Sequence, residues 1–196
     1  MNRERLTAFT DGVLAVIITI MVLEMKPPHG KSLSDLVTVW PVFLSYVLSF
    51  IYVGIYWNNH HHFFHLVPKV SGAVLLANLH LLFWLSLVPF ATAWLGENDF
   101  APVPTALYGL SLLMPALAWT VLQDAIFRHQ GPESPLRQAL GSDIKAKLSL
   151  ALYTSGIGLA FVQPWLAQAL YWAVAVMWLL PQGQQVPVQH VQRAES

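Results

Sequence analysis

Long apolar runs alternate with short polar breaks along this sequence of 196 residues. A helix needs about 20 mostly apolar residues to cross a bilayer core of roughly 30 Å, and each run meets or approaches that length. The segments lie near residues 6–25, 36–58, 70–95, 103–127, 145–162 and 164–181. The pattern therefore predicts an all-α membrane protein with six transmembrane helices.

The polar breaks contain the residues that end helices. They read KPPHGKSLSD, HHHFFHLVPK, GENDFAPVP and RHQGPESPLRQALGSD, and they combine Pro and Gly with most of the charges. The last break is only Gln163 and Pro164. Because Pro lacks a backbone N–H and fits the first turn of a helix, we expect a tight hairpin there. Pro89 and Pro115 fall inside predicted helices, where they should kink the axis.

The composition agrees with a membrane location. The chain is 56% hydrophobic and 10% charged, whereas an ordinary soluble domain has about 25% charged residues. Ten basic and ten acidic residues cancel, so nothing suggests nucleic acid as a partner. The lack of cysteine excludes disulfides and thiolate chemistry. We expect residues 1–182 to form one transmembrane unit and residues 183–196, which have no apolar face, to form a disordered cytoplasmic tail.

The positions of Lys and Arg predict the orientation of the chain. Cytoplasmic loops next to membrane helices retain positive charge. If the amino terminus lies inside, only Lys26 and Lys31 of the ten basic residues lie outside. Both termini are therefore predicted to be cytoplasmic.

The first predicted helix carries an apolar stripe. At about 100° per residue, Val16, Ile20 and Leu23 stack on one line, with Thr19 close beside it. In a bundle of membrane helices, such a stripe is usually a packing surface. The spacing alone therefore leaves two interpretations open, helix packing and the wall of a pore.

The same helix has an aspartate at its entrance. Asp11 lies about 140° from Val16 around the helix, so it should point toward neighbouring helices when the stripe faces an axis. An aspartate at a membrane boundary is costly unless it is paired. We expect it to join an inter-helix polar network with Arg5 and with the end of the second helix, YWNNHHHFFH.

Two motifs are similar to those of a known family. RLTAFTDGVLAVIITIMVLE resembles the R-x-x-x-F-S-D signature of the lysosomal potassium channel family, transmembrane protein 175, and in particular its short bacterial members. WNNHHHFF resembles the W-x-x-H segment of the bacterial members. The matching residues are Arg5, Phe9, Asp11, Trp57 and His60, while Thr10 stands in place of the serine and keeps its hydroxyl.

The resemblance implies a potassium-preferring cation channel in a bacterial plasma membrane. It implies a homotetramer in which the first helix lines a central pore, with constrictions at Val16, Ile20 and Leu23 and ion selectivity at Thr19. Rings of branched apolar side chains can close a pore by excluding water. Glu24 would concentrate cations at the outer mouth, or it is simply a glutamate at headgroup level. The expected signature and polar network comprises Arg5, Phe9, Thr10, Asp11, Trp57, His60 and His61.

The histidines suggest an alternative function. A proton- or metal-coupled transporter could use the His-rich end of the second helix, and a membrane enzyme could hold a metal there. His61 and His65 are one helical turn apart, but no carboxylate neighbours them, so we expect neither a metal site nor an enzyme.

For His80, which lies near Asn78, we expect an inter-helix hydrogen bond, and for Asp124 and Arg128 a local ion pair. No cofactor is expected besides the permeant potassium ion.

Overall fold

The computed structural model describes residues 2–67, 69–130 and 144–180, and this part of the chain is helical. The helices are α1 (Arg3–Leu23), α2 (Leu33–Val37), α3 (Trp40–His65), α4 (Gly72–Ser86), α5 (Val88–Glu97), α6 (Pro102–Gln130), α7 (Ile144–Leu159) and α8 (Pro164–Leu179). The predicted tail, residues 183–196, lies outside the described residues.

Among the described residues, four helical segments are long and apolar enough to cross a membrane. They are α1, α3, the pair α4 and α5 taken together as Gly72–Glu97, and α6, with lengths of 21 to 29 residues. The apolar helix α8 is shorter, at 16 residues, or about 24 Å at 1.5 Å per residue. The chain is thus an all-α protein with several membrane-spanning helices, and the number six stays a prediction.

The third predicted helix, 70–95, is divided in the structure. α4 ends at Ser86 and α5 begins at Val88. Pro89 occupies the first turn of α5, where its missing N–H removes no bond that the new helix needs. Pro115, by contrast, lies within the continuous helix α6.

The second predicted helix, 36–58, differs from the structure at both ends. Its first residues belong to the short helix α2, whose amino-terminal end is capped by a capping box of Ser32 and Asp35. Helix α3 begins only at Trp40. At the other end, α3 continues through His65, although the sequence predicted a break from His60 onward. The histidine run stays helical because His60, Phe63 and Phe64 are buried against neighbouring helices.

Buried side chains form two apolar clusters. One joins α1, α3, α4 and α6 and includes Leu14, Phe63 and Leu81. The other joins α3 and α5 through α8 and surrounds Tyr108 and Tyr171. Because the first cluster holds only one side of α1, it fixes which face of that helix turns away from the subunit.

Candidate ion pathway

Helix α1 has one buried face. Leu6, Thr10, Leu14, Ile17 and Met21 are its buried residues, and their spacing of three or four positions places them on one side of a helix. This face packs into the first apolar cluster, which holds α1 in one rotational orientation.

The other side of α1 is exposed in the isolated subunit and is mostly apolar. We define the outward face of α1 as Phe9, Val16, Thr19, Ile20 and Leu23. The exposed fractions are 54% for Val16, 40% for Ile20 and 79% for Leu23. At about 100° per residue, Thr19 lies roughly opposite the centre of the buried face. The predicted constriction residues and Thr19 are thus all exposed in the isolated subunit.

The hydroxyl of Thr19 has a defined orientation. Its Oγ1 lies 2.9 Å from the carbonyl oxygen of Val16 and 3.2 Å from that of Ala15, so it donates within its own helix. A hydroxyl has one hydrogen and two acceptor lone pairs. Since the hydrogen is directed to the backbone, the oxygen can present its lone pairs to a cation outside the subunit.

An apolar groove of about 790 Å³ runs beside the outward face. One wall is α1, from Phe9 through Gly12 to Ile20, and the other is formed where α4 meets α5, by Ser86, Pro89, Phe90 and Ala93. Glu24 also lines the groove and follows directly after α1. The outward face is therefore bordered by further apolar surface and by one acidic side chain.

The loop after α1 is tied to the end of α5. Lys26 Nζ donates a 2.9 Å hydrogen bond to Glu97 Oε1. This hydrogen bond, and then the negative charge of Glu97, raise the pKa of Lys26. The Lys26–Glu97 pair lies at the same end of α1 as Glu24. The positive charge of Lys26 is thus paired with Glu97.

A buried polar network connects α1, α3 and α4. The Asn78 Nδ2 amide donates to Thr10 Oγ1 at 2.9 Å, and His60 Nε2 lies 3.0 Å from Asn78 Oδ1. Because Oδ1 can only accept, His60 carries its hydrogen on Nε2 in this arrangement. All three side chains are at most 2% exposed, so the network is closed to solvent within the subunit.

Other residues expected in this network lie elsewhere. Asp11 and Arg5 are exposed, and within the described part of one subunit their side chains form no hydrogen bond or ion pair. Trp57 and His61 are exposed on α3 and stack on each other at 6.1 Å. In one subunit, Thr10 rather than Asp11 makes the inter-helix contact.

The expectation for His80 is wrong, because it is exposed and its Nε2 accepts a hydrogen bond from Trp84 in the same helix. Asn78, two residues before it, makes the inter-helix bonds instead.

Arg3 was missed by sequence reasoning. Its Nη1 donates to the backbone oxygen of His65 at 3.4 Å and connects the start of α1 to the end of α3. Asp124 and Arg128 form the predicted ion pair, at 2.7 Å.

These observations define a helical membrane protein whose first membrane-spanning helix has an exposed apolar face. The hydroxyl oxygen of Thr19 lies on that face. The sequence model of the family described as endosomal/lysosomal potassium channel TMEM175 matches residues 5–89. A potassium channel of Chryseobacterium sp. strain P1-3 is 53% identical over 181 residues, which are 92% of this chain and 94% of that protein. The chain therefore belongs to the TMEM175 potassium channel family.

A solved structure agrees in fold. The crystal structure of a lysosomal potassium-selective channel TMEM175 homologue from Chamaesiphon minutus is 29% identical to this chain, with a TM-score of 0.80. The match covers 90% of this chain and 96% of that one. The human endosomal/lysosomal proton channel TMEM175 is 31% identical over 103 residues, which are 46% of this chain and 20% of the human protein. The homologues and the fold are those of an ion channel and not of an enzyme.

Proposed function

We propose that this protein is a potassium-preferring cation channel in which copies of α1 surround a central pore. The observation that carries the proposal is the position of Thr19, which lies on an exposed, otherwise apolar face with its hydroxyl hydrogen directed to its own helix. Bacterial relatives of this chain are named potassium channels, which supports potassium as the permeant ion.

A pore of this kind requires several subunits. One helix cannot enclose an axis, and the outward face of α1 has no covering helix in the described part of the subunit. Four copies, as the family resemblance implies, would bring four outward faces together. A homotetramer would also remove exposed branched residues such as Val16 and Leu23 from lipid and place them around the axis.

In this arrangement, Val16, Ile20 and Leu23 form successive constrictions. At 1.5 Å per residue, the rings lie about 6 Å and about 4.5 Å apart along the pore. Rings of branched apolar side chains close a pore by dewetting, and a small rotation or tilt of the helices widens them. Flux is therefore controlled by α1 itself.

Thr19 acts between the Val16 and Ile20 levels. Four hydroxyl oxygens there replace part of the hydration shell of a passing cation. Replacing hydration water only in part favours potassium over sodium, because potassium gives up water more easily. Glu24, at the outer end of the stripe, raises the local cation concentration at the mouth.

The proposal includes an orientation of the chain in the membrane. Six membrane crossings put both termini on the cytoplasmic side of a bacterial plasma membrane, with Glu24 and the Lys26–Glu97 pair outside. The positive residues of the breaks support this orientation. The histidine-based transporter is not favoured, since the comparisons place the chain in a channel family and the Nε2 of His60 is engaged by Asn78.

Ion flux into liposomes tests the proposal. Purified protein is reconstituted and exposed to a potassium gradient and then to a sodium gradient, with Ile20→Ala and Leu23→Ala compared with the wild type. We expect selective wild-type flux that increases or loses selectivity in both variants. Leu79→Ala is the matched control, because Leu79 on α4 is 41% exposed and Ile20 is 40% exposed. Absence of flux, or flux that responds equally to the control, would contradict the pore.

Oligomeric state is measured separately by chemical crosslinking of the reconstituted protein. We expect a ladder that ends at four subunits. A ladder that stops at the monomer would overturn the pore on α1, whatever the flux, because a single α1 cannot surround an ion.

A further inference from the structure

Two exposed histidines at the end of α3, His61 and His65, form a hydrogen bond between their Nε2 atoms. His61 and His65 lie four residues apart in the last two turns of the helix, and their Nε2 atoms are 3.2 Å apart. The rings are nearly perpendicular, at 81°, with centroids 4.7 Å apart. Both side chains are exposed, so an ion in solution can reach them.

The separation of the two nitrogens fits a tetrahedral metal ion. Zinc binds imidazole nitrogen at about 2.0–2.1 Å. Two nitrogens 3.2 Å apart at that distance from one ion subtend an angle of roughly 100–105°, close to the tetrahedral arrangement that zinc prefers. A right-angled arrangement at about the same bond length would need the nitrogens at about 2.9 Å. The geometry is thus compatible with one zinc ion bound by both nitrogens.

Neighbouring residues contact the His61 ring and the backbone of His65. The Trp57 ring stacks on His61 at 6.1 Å, with 28° between the planes. The backbone oxygen of His65 accepts a hydrogen bond from Arg3. The carbonyl end of α3 contributes partial negative charge that favours a cation, whereas the Arg3 guanidinium opposes it. A metal ion here would therefore meet both a favourable and an unfavourable electrostatic contribution.

The pair does not form a complete coordination shell. In the described ranges, no group of three or more His, Asp or Glu side chains is arranged to hold a metal ion. His62 follows His61 in sequence, and its ring centroid is 5.6 Å from that of His61, but among the described residues no side-chain hydrogen bond joins it to the pair. Two coordination positions are therefore left for water.

We propose that His61 and His65 bind one Zn²⁺ ion per subunit through their Nε2 atoms, with water completing the tetrahedron. This revises the expectation of no metal, which rested on the absence of carboxylates near the histidine run. It is also independent of the ion pathway, because these rings lie on α3 and not on the outward face of α1. Through Arg3, the site is connected to the first turn of α1.

Calorimetric titration of Zn²⁺ into the full-length protein tests the site. The protein carries an affinity tag without histidine, and His61→Gln and His65→Gln are compared with the wild type. The matched control is His62→Gln, which removes a neighbouring exposed histidine. We expect one Zn²⁺ per subunit in the wild type. Since even outer partners of a metal site are worth about 10–100-fold in affinity, loss of a ligand should weaken binding by at least about tenfold.

The control should leave the affinity for Zn²⁺ unchanged, because His62 is not a ligand of the proposed site. Equal loss in His62→Gln would assign binding to the histidine run in general, and it would overturn the pair as the site. Wild-type protein that binds no Zn²⁺, or both ligand variants retaining wild-type affinity, would overturn the proposal. The visible absorption of bound Co²⁺ reports the geometry, and a spectrum of octahedral type would contradict the tetrahedral assignment. None of these results depends on ion flux.

Discussion

The side-chain amide of Asn78 donates a 2.9 Å hydrogen bond to the hydroxyl of Thr10 and so joins α4 to the buried face of α1. His60 on α3 bonds the other end of the same amide. Together they give α1 a polar contact that works only in one rotational orientation. The outward face of α1 therefore depends on a network on the opposite side of the helix.

Replacing Thr10 by Val should loosen this connection. The substitution keeps the branched shape but removes the hydroxyl, so the Asn78 amide loses its acceptor in a buried place. Inter-helix hydrogen bonds in membrane proteins contribute about 0.6–1.7 kcal/mol, and we expect a loss of about 1 kcal/mol. Thermal unfolding of the detergent-solubilised protein measures it.

Thr10→Ser is the control for that experiment. It retains the hydroxyl and restores the serine of the family signature, so its stability should lie closer to the wild type than that of Thr10→Val. If both variants lost the same stability, the methyl group and not the hydrogen bond would be the contribution of Thr10.

How far the sequence predicts this arrangement can be judged from α1. Hydropathy indicates a membrane helix, and the period of a helix groups Val16, Ile20 and Leu23 on one side. The period cannot tell which side is buried, because that depends on the helices that pack against it. The sequence predicts both Thr10 and Asp11 in the inter-helix network, whereas in one subunit only Thr10 contacts Asn78.

The end of α3 illustrates a second limit. Local polarity predicted a loop at the histidine run, but packing overrides it. Phe63 contacts the rings of Trp119 and Phe127 on α6, with centroids 5.4 and 6.4 Å away, and these long-range contacts keep the segment helical. The spacing of His61 and His65 could be read from the sequence, but the distance between their Nε2 atoms could not.

Thr19→Val should reduce the preference for potassium. The side chain keeps its shape and loses the oxygen that faces the proposed pore. A hydrogen-bonding group facing a charge contributes about 1.5–3 kcal/mol, so we expect the ratio of potassium to sodium permeability to fall by at least about tenfold. Reversal potentials of the reconstituted channel measure the ratio.

Thr19→Ser retains the oxygen and should retain most of the preference. If Thr19→Val kept the wild-type ratio while conducting normally, selectivity would have to come from the width of the apolar rings alone. Equal loss in both variants would instead indicate that the methyl group sets the pore width at this level.

Gly156→Ala should destabilise the contact between α7 and α8. A Cβ at this position would lie within about 3 Å of the hydroxyl end of Tyr171, which is completely buried. Because a buried Tyr cannot move away without shifting its own neighbours, we expect a loss of about 1–3 kcal/mol. The unfolding temperature of the solubilised protein reports this loss.

Gly158→Ala, two residues further along the same helix, has no atom within 4 Å of the added Cβ. It should leave stability unchanged or raise it by up to about 1 kcal/mol, since Ala favours the helix over Gly. A loss in this variant equal to that of Gly156→Ala would mean that α7 tolerates no added side chain, and the contact with Tyr171 would not explain the effect.

Leu23→Cys should make the channel sensitive to a thiol reagent. The chain has no cysteine of its own, so the introduced thiol is the only target. Leu23 is 79% exposed at the proposed outer end of the pore, and a positively charged, water-soluble methanethiosulfonate would place one charge per subunit around the axis. Because a ring of positive charge repels cations, we expect flux to fall by at least about tenfold.

Leu76→Cys provides the comparison, because Leu76 is 68% exposed on α4, away from the outward face of α1. The same reagent should leave its flux unchanged, since a thiol facing lipid is neither reached by a water-soluble reagent nor close to the ions. Inhibition of Leu76→Cys with no inhibition of Leu23→Cys would place the water-filled pathway along α4. In that case α1 would be a packing helix, and its apolar stripe would face neighbouring helices or lipid.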